Sequence, residues 1–324
     1  MPMRIAVLRG GRSSEHEVSL RSGQSVADGL RAHGHEVVDV VIDRGGRWRV
    51  DGREVELRAT GGLLDCDCVF PVLHGPFGED GTVQGLLECL DVPYVGSGVL
   101  AAALTMDKLT FKRLLAYHGV PQVEFCEAGE EGWREHVAAM PRPLWVKPSR
   151  LGSSVGISKV SSPESELDRA LELAARHDPR VIIEANSGGR EVECSVIGNA
   201  EPETSLPGEI VAHADWYDYE AKYGEGGMEL MVPAPIGADA IAGVRELAAR
   251  IYMAAGCSGL ARCDFFVRDD GEVLVNELNT IPGFTSTSVF AKLFEASGTP
   301  YPELCDRLVG LALERHEHER SYRY

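Results

Sequence analysis

The chain has 324 residues, 44% of them hydrophobic and 25% charged, enough to build two or three cores and unlike a short disulfide-stapled scaffold. Its 32 basic and 50 acidic side chains leave a formal charge of −18, which opposes broad binding to nucleic acid or to an anionic membrane. Any anionic partner must then be held locally by a few placed cations.

Residues 4–41 read as a short apolar strand, a Gly10-Gly11 turn, a helix with the stripe Leu20, Val26, Ala27 and Leu30, and a second strand from residue 36. This β-α-β opening predicts a parallel sheet covered by helices, with its first turn facing a ligand. The run at residues 5–8 is too short for a signal segment or a membrane span, so a cytoplasmic location is expected. A strand at 68–72, a loop at 74–81 and a helix at 82–90 continue this first domain through residue 106.

Near Asp107 the character changes. A helix at 108–116 leads to strands at 123–126, 144–147, 157–160 and 181–184 and a helix at 164–176, which suggests a small α+β domain. Strands at 191–197 and 206–211 follow, then an irregular stretch at 213–235 and a helix at 239–255 with the stripe Ile241, Val244, Leu247, Ala248 and Ile251. A hairpin at 260–279 and a closing helix carrying Leu304, Leu308 and Leu311 complete the chain. The tail from residue 314 alternates charge and histidine and reads as a solvated end, with metal binding as the lesser alternative. The eight cysteines are scattered without C-x-x-C spacing, so zinc-ligand spacing is missing and most of them read as small buried side chains.

Asp270 and Gly271 signal a two-residue hairpin turn. That turn sets Asp264 opposite Glu277 and Arg262 opposite Asn279, all four on one face. Two unit charges 4 Å apart repel by about 1 kcal/mol in water and about 4 kcal/mol at an effective dielectric of 20, so opposed carboxylates invite a cation. Two carboxylates and an amide oxygen suit Mg²⁺, which keeps other positions for water and phosphate; the competing reading is a solvated acidic hairpin. Arg262 would neutralise a developing anion there, or simply pair with Asp264.

The segment 147–156, Lys147-Pro-Ser-Arg-Leu-Gly-Ser-Ser-Val-Gly156, follows an apolar strand, and its small residues allow backbone N–H groups to close on phosphate while Lys147 and Arg150 add charge. A plain strand connection is the alternative, and no P-loop pattern is present. The turn at 10–17 lacks G-x-G-x-x-G, so dinucleotide binding is weakly supported; Glu15 suits a substrate ammonium or the N-terminus of its own helix. Trp216, Tyr217, Tyr219 and Tyr223 make the irregular stretch read as a water-excluding lid or an interaction surface.

Lid, phosphate turn and carboxylate-carboxamide hairpin, in that setting, resemble the ATP-grasp superfamily. Within it the chain resembles the D-alanine:D-alanine ligases along nearly its whole length, through residues 10–19, 74–85, 147–156, 217–223 and 277–283. Arg9 and Leu151 depart from the family pattern. The resemblance implies an ATP-grasp fold in three parts: a Rossmann-like substrate-binding domain at 1–106, a central α+β domain at 107–187 and a catalytic domain at 188–324 with a lid at 213–233.

It further implies that ATP phosphorylates one D-alanine and that the amine of a second attacks the acyl phosphate. Asp264, Glu277 and Asn279 would hold two Mg²⁺ or Mn²⁺ ions, and Lys108, Lys147, Ser154, Glu184, Glu191 and Lys222 would bind ATP. Glu15, Ser153 and Tyr223 would form a triad that closes the lid. His74, Ser288 and Val289 would bind substrate, while Arg262 and the Gly283 N–H stabilise the oxyanion. A homodimer is implied as well. In the family a lid histidine accompanies D-lactate use, whereas the Lys222-Tyr223 pair accompanies the dipeptide. Ligation to D-lactate or D-serine, and a non-catalytic nucleotide-binding regulator, are the competing functions.

Overall fold

The computed structural model describes residues 1–212 and 228–323. Strand β1 (Arg4–Gly10), helix α1 (His16–Ala32) and strand β2 (Glu36–Ile42) form the expected β-α-β unit. Helix α1 buries Val18, Val26, Ala27 and Leu30 at the helical period against that sheet, whereas Leu20 is only half-buried. Strand β1 lies parallel to β2 and to β5 (Cys68–Pro71).

The sheet is mixed rather than wholly parallel, because β3 (Trp48–Val50) and β4 (Arg53–Glu54) extend it antiparallel in the order β4-β3-β2-β1-β5. Their two-residue turn is Asp51-Gly52 with φ of +48° and +77°, the conformation that Asp-Gly favours in tight hairpins. Helices α2 (Thr82–Leu90) and α3 (Val99–Met106) complete this part.

Helix α4 (Lys108–Tyr117) begins at Asp107, whose carboxylate accepts the Thr110 N–H at 3.0 Å and caps it. The second sheet contains β6 (Phe125–Glu127), β7 (Leu144–Pro148), β8 (Ser158–Val160) and β9 (Val181–Glu184), in the order β6-β9-β7-β8 and antiparallel throughout. Helices α5 (Trp133–Ala139) and α6 (Pro163–Ala175) enclose its core of Val137, Leu144, Val146, Leu167, Ala170 and Ile183.

The third sheet runs β13-β12-β10-β14-β15, with β11 beside β10. Its strands are β10 (Arg190–Gly198), β11 (Glu203–Thr204), β12 (Gly208–Ala212), β13 (Met228–Met231), β14 (Gly259–Val267) and β15 (Val273–Asn279). Strand β13 falls inside the stretch expected to be irregular; its pairing with β12 supplies the partners its backbone needs. Helix α7 (Ala238–Ala254) packs Val244, Leu247, Ala248 and Ile251 on this sheet.

Helices α8 (Val289–Ala296) and α9 (Tyr301–Arg320) close the chain. The tail expected to be a solvated end is the last part of α9. Arg315 is buried there, with its guanidinium stacked 4.2 Å from the Tyr94 ring centre, and Arg320 meets Asp91 at 2.6 Å. Leu304, Leu308 and Val309 join Ile5, Val7, Val26 and Leu30 in one core, so the end of the chain buttresses its beginning.

Candidate active site

The acidic hairpin forms with the expected partners by a different route. Its loop holds three residues, since Arg268 N–H bonds to the Glu272 carbonyl at 2.9 Å, with Gly271 at φ +88°. Beyond the loop Val267 pairs with Val273 and Phe265 with Val275, one residue out of the two-residue register. A β-bulge at Asn276 takes up the difference, so Asp264 meets Glu277 and Arg262 meets Asn279. The bulge also reverses the alternation. Val273 and Val275 face the core before it, Leu278 faces the core after it, and Glu277 and Asn279 thereby turn to the side of Arg262 and Asp264.

Arg262 makes a two-pronged contact with Asp264, at 2.7 and 2.8 Å, and reaches Glu193 of β10 at 2.9 Å. Burial works against the guanidinium charge, but Asp264 and Glu193 outweigh it and hold its pKa well above the ordinary value. Asn279 Nδ2 donates to Asp264 Oδ2 at 3.1 Å and to Glu277 Oε1 at 3.5 Å. Two carboxylates and a carboxamide thus converge, and a half-turn of the amide offers its oxygen. This all-oxygen set fits a hard divalent cation such as Mg²⁺ or Mn²⁺.

Across the cleft Lys108 donates to the Leu151 carbonyl at 2.9 Å and stands 3.8 Å from Glu277. Lys147 lies 2.5 Å from one oxygen of Glu184, and Lys112 lies 2.8 Å from the other. Burial opposes the Glu184 charge, yet the two lysines prevail and pull its pKa down to about 2. Glu184 therefore positions lysines, with both of its oxygens engaged. Arg150 is turned away from any phosphate role: Asp178 accepts from its Nε at 3.0 Å, from its Nη2 at 2.6 Å and from its backbone N–H at 2.8 Å. Ser153 and Ser154 have φ of +53° and +58°, a left-handed pair that shapes the turn at a cost of about 1–2 kcal/mol per residue.

The third side of the site is Glu15, buried at the start of α1. Its carboxylate makes no cap on that helix and instead accepts the Ser153 hydroxyl. His74 is buried beside it, with Nδ1 3.0 Å from the Ile281 carbonyl and Nε2 3.2 Å from Ser22 Oγ. A carbonyl only accepts, so the ring carries its proton on Nδ1 and takes the Ser22 hydroxyl at Nε2. Burial pushes the His74 pKa down and keeps the ring neutral.

Gly283 lies beside Ser288, whose hydroxyl accepts the Thr285 N–H at 3.0 Å. Ser288 is the N-cap of α8, and Val289 opens that helix with its side chain in the core, so these positions offer hydroxyl and backbone N–H groups at a helix N-terminus.

One cleft is lined by Glu15, His74, Lys108, Ser153, Arg262, Glu277, Asn279 and Gly283, together with Glu79. Glu191 is exposed on β10, and Ser154 follows Ser153 in the turn. Lys222 and Tyr223 lie outside the described residues. Sequence reasoning missed Lys112, Glu193 and Glu79. The first two carried a signal, since Lys112 follows Lys108 by one helical turn and Glu193 follows Glu191 by one strand period.

Family models for the N-terminal and C-terminal parts of D-Ala-D-Ala ligase match residues 4–97 and 114–310. A D-alanine–D-alanine ligase of Deinococcus radiodurans is 48% identical over 338 residues, covering 97% of this chain and 99% of the relative. One of Solibacter usitatus is 44% identical and covers 100% of this chain and 99% of its own. The solved D-alanine-D-alanine ligase of Coxiella burnetii superposes with a TM-score of 0.89 at 35% identity, covering 99% of this chain and 96% of that one. The VanG D-Ala:D-Ser ligase of Enterococcus faecalis gives 0.86 at 35% identity, with 96% and 100% covered.

Proposed function

Since the chain belongs to the D-alanine:D-alanine ligase family, an ATP-grasp family that joins two D-alanine molecules with ATP, we propose how its own residues divide that reaction. The observation that carries the proposal is one cleft in which Glu15, Lys108, Arg262, Glu277 and Gly283 meet, drawn from all three sheets and their helices. We assign residues 1–106 to substrate binding, 107–187 and 188–324 to the nucleotide grasp, and 213–233 to the lid.

Glu15, held by Ser153, receives the ammonium of the first D-alanine and fixes its carboxylate toward the γ-phosphate. Lys108, Lys147 and Lys222 bind the ATP phosphates, with Ser154, Glu184 and Glu191 completing the nucleotide site. Asp264, Glu277 and Asn279 would hold two Mg²⁺ or Mn²⁺ ions, which neutralise phosphate charge when bound. Phosphoryl transfer gives an acyl phosphate. Tyr223 joins Glu15 and Ser153 in closing the lid, which keeps water from that intermediate. Ser288 and the Val289 N–H at the start of α8 receive the second carboxylate. His74, neutral and fixed by Ile281 and Ser22, supports the substrate pocket. Arg262 and the Gly283 N–H stabilise the tetrahedral oxyanion, and its collapse yields D-alanyl-D-alanine, ADP and phosphate.

The dipeptide serves peptidoglycan precursor synthesis. Use of ATP supports a cytoplasmic site of action, and no helix among the described residues is long and apolar enough to cross a membrane. A homodimer is the assembly we propose, from the family likeness. The catalytic assignment is tested by D-alanine-dependent ADP release: Glu277→Ala and Arg262→Ala should each abolish it, and near-normal release in either removes that residue from the mechanism.

A further inference from the structure

The following inference deepens the ligase reading and rests on it. An amine attacks only when uncharged, whereas an amino acid enters at neutral pH as an ammonium, so one proton must leave before the C–N bond forms. Several titratable groups line the cleft. Glu15 is engaged by the Ser153 hydroxyl, and His74 has both ring nitrogens committed, to the Ile281 carbonyl and to Ser22. Lys108 is a cation bonded to the Leu151 carbonyl, and Glu277 belongs to the acidic hairpin.

Glu79 remains. Its Oε2 accepts the Gly75 N–H at 2.7 Å, which anchors the carboxyl group at the cleft wall. The loop carrying it is tightly wound. Glu79 and Gly78 both donate their N–H groups to the Gly75 carbonyl, at 2.9 and 3.0 Å. Asp80 accepts the N–H groups of Phe77 and Thr82, at 2.8 and 3.0 Å, and Gln84 clamps the Gly78 carbonyl at 2.8 Å. Glu79 is thus held by a rigid support and has no function in the steps above.

We propose that Glu79 is the general base of the second half-reaction, taking one proton from the ammonium of the incoming D-alanine. The freed lone pair forms the C–N bond as the carbonyl π bond opens. Collapse restores the carbonyl and breaks the C–O bond to phosphate, and the second nitrogen proton passes to the departing phosphate, which leaves as hydrogen phosphate. Glu79 returns its proton to solvent after product departs.

The charge environment suits the task. Burial, and after it the neighbouring Glu15 carboxylate, push the Glu79 pKa up to about 8, against the opposing effects of the Gly75 N–H, Lys108 and Arg262. His74 adds no charge while neutral, and the Asp80 carboxylate is turned to the loop amides. A base with a pKa near the working pH combines a usable ionised fraction with enough basicity to accept an ammonium proton.

The test compares wild type with Glu79→Gln on two nucleophiles. Hydroxylamine is uncharged at neutral pH and needs no base, so it traps the acyl phosphate as the hydroxamate. Glu79→Gln should form hydroxamate from ATP, Mg²⁺ and D-alanine within about threefold of wild type. Its kcat for dipeptide should fall about 10²–10⁴-fold, with loss of the acidic limb of the pH profile and partial recovery in Glu79→Asp. Parallel loss of hydroxamate and dipeptide overturns the proposal, as does unchanged dipeptide turnover, or a raised KM for D-alanine at unchanged kcat. Wild type yielding neither product would overturn the ligase reading itself, a failure distinct from these.

Discussion

Glu277 stands opposite Asp264 across the last hairpin because one residue within β15, Asn276, is bulged out of the ladder. Removing that residue reverses the facing of everything after it. Deletion of Asn276 should turn Glu277 and Asn279 toward the core of Val275, Phe265 and Cys263 and cost at least about 3 kcal/mol, the scale of an uncompensated buried charge. Asn276→Ala keeps the residue count and should stay within about 1 kcal/mol of wild type. Urea unfolding and D-alanine-dependent phosphate release measure both, and an active, stable deletion variant would show that the bulge is dispensable.

The Ser153 hydroxyl on Glu15 couples the turn at 147–156 to the start of α1. Ser153→Ala should leave Glu15 short of a partner, at about 1–3 kcal/mol, and raise the KM of the first D-alanine roughly 5- to 150-fold. Initial-rate kinetics with varied D-alanine would detect this, and an unchanged KM would remove Ser153 from substrate positioning.

Gly75 has φ +72°, and an added Cβ would lie 2.7 Å from Glu15 Oε2. Gly75→Ala should therefore lose about 1–2 kcal/mol to backbone strain and weaken D-alanine binding by displacing Glu15. Thermal unfolding reads the first effect and KM the second; an unaffected KM would show that Glu15 yields freely.

Glu184 makes stability depend on acid pH. Its folded pKa is depressed from 4.5 to about 2 by Lys112 and Lys147. The stabilisation is therefore fully present above pH 4.5 and is lost as pH falls through about 2, a change of ~3 kcal/mol. Removing one partner of a buried pair costs about 3–5 kcal/mol, so Lys112→Met should lower stability at pH 7 and flatten this acid loss. Unfolding curves at several pH values would show it, and equal acid sensitivity in wild type and variant would contradict it.

The sequence revealed the site where chemistry dictates residue type at short range. Opposed Asp264 and Glu277 have few uses without a cation, and their pairing was legible even though the turn was misjudged. The two-residue turn and the unbulged strand were each wrong by one residue, and the two errors cancelled. Lys112 was hidden because a lysine on an amphipathic helix normally reaches solvent, and only the fold brings Glu184 to it. Helix α3 lacks the polar alternation that marks a half-buried helix, so Val99–Met106 gave no period. Helix α9 runs past its leucines because Arg315 and Arg320 dock on Tyr94 and Asp91, contacts that span more than 200 residues of chain.

Activation of the D-alanine carboxylate is measured most directly with D-alanine carrying ¹⁸O in that group, ATP and Mg²⁺, followed by mass analysis of dipeptide and phosphate. Attack on an acyl phosphate predicts one ¹⁸O in the released phosphate for each D-alanyl-D-alanine formed. Dipeptide accompanied by unlabelled phosphate, or labelled phosphate without dipeptide, would contradict it.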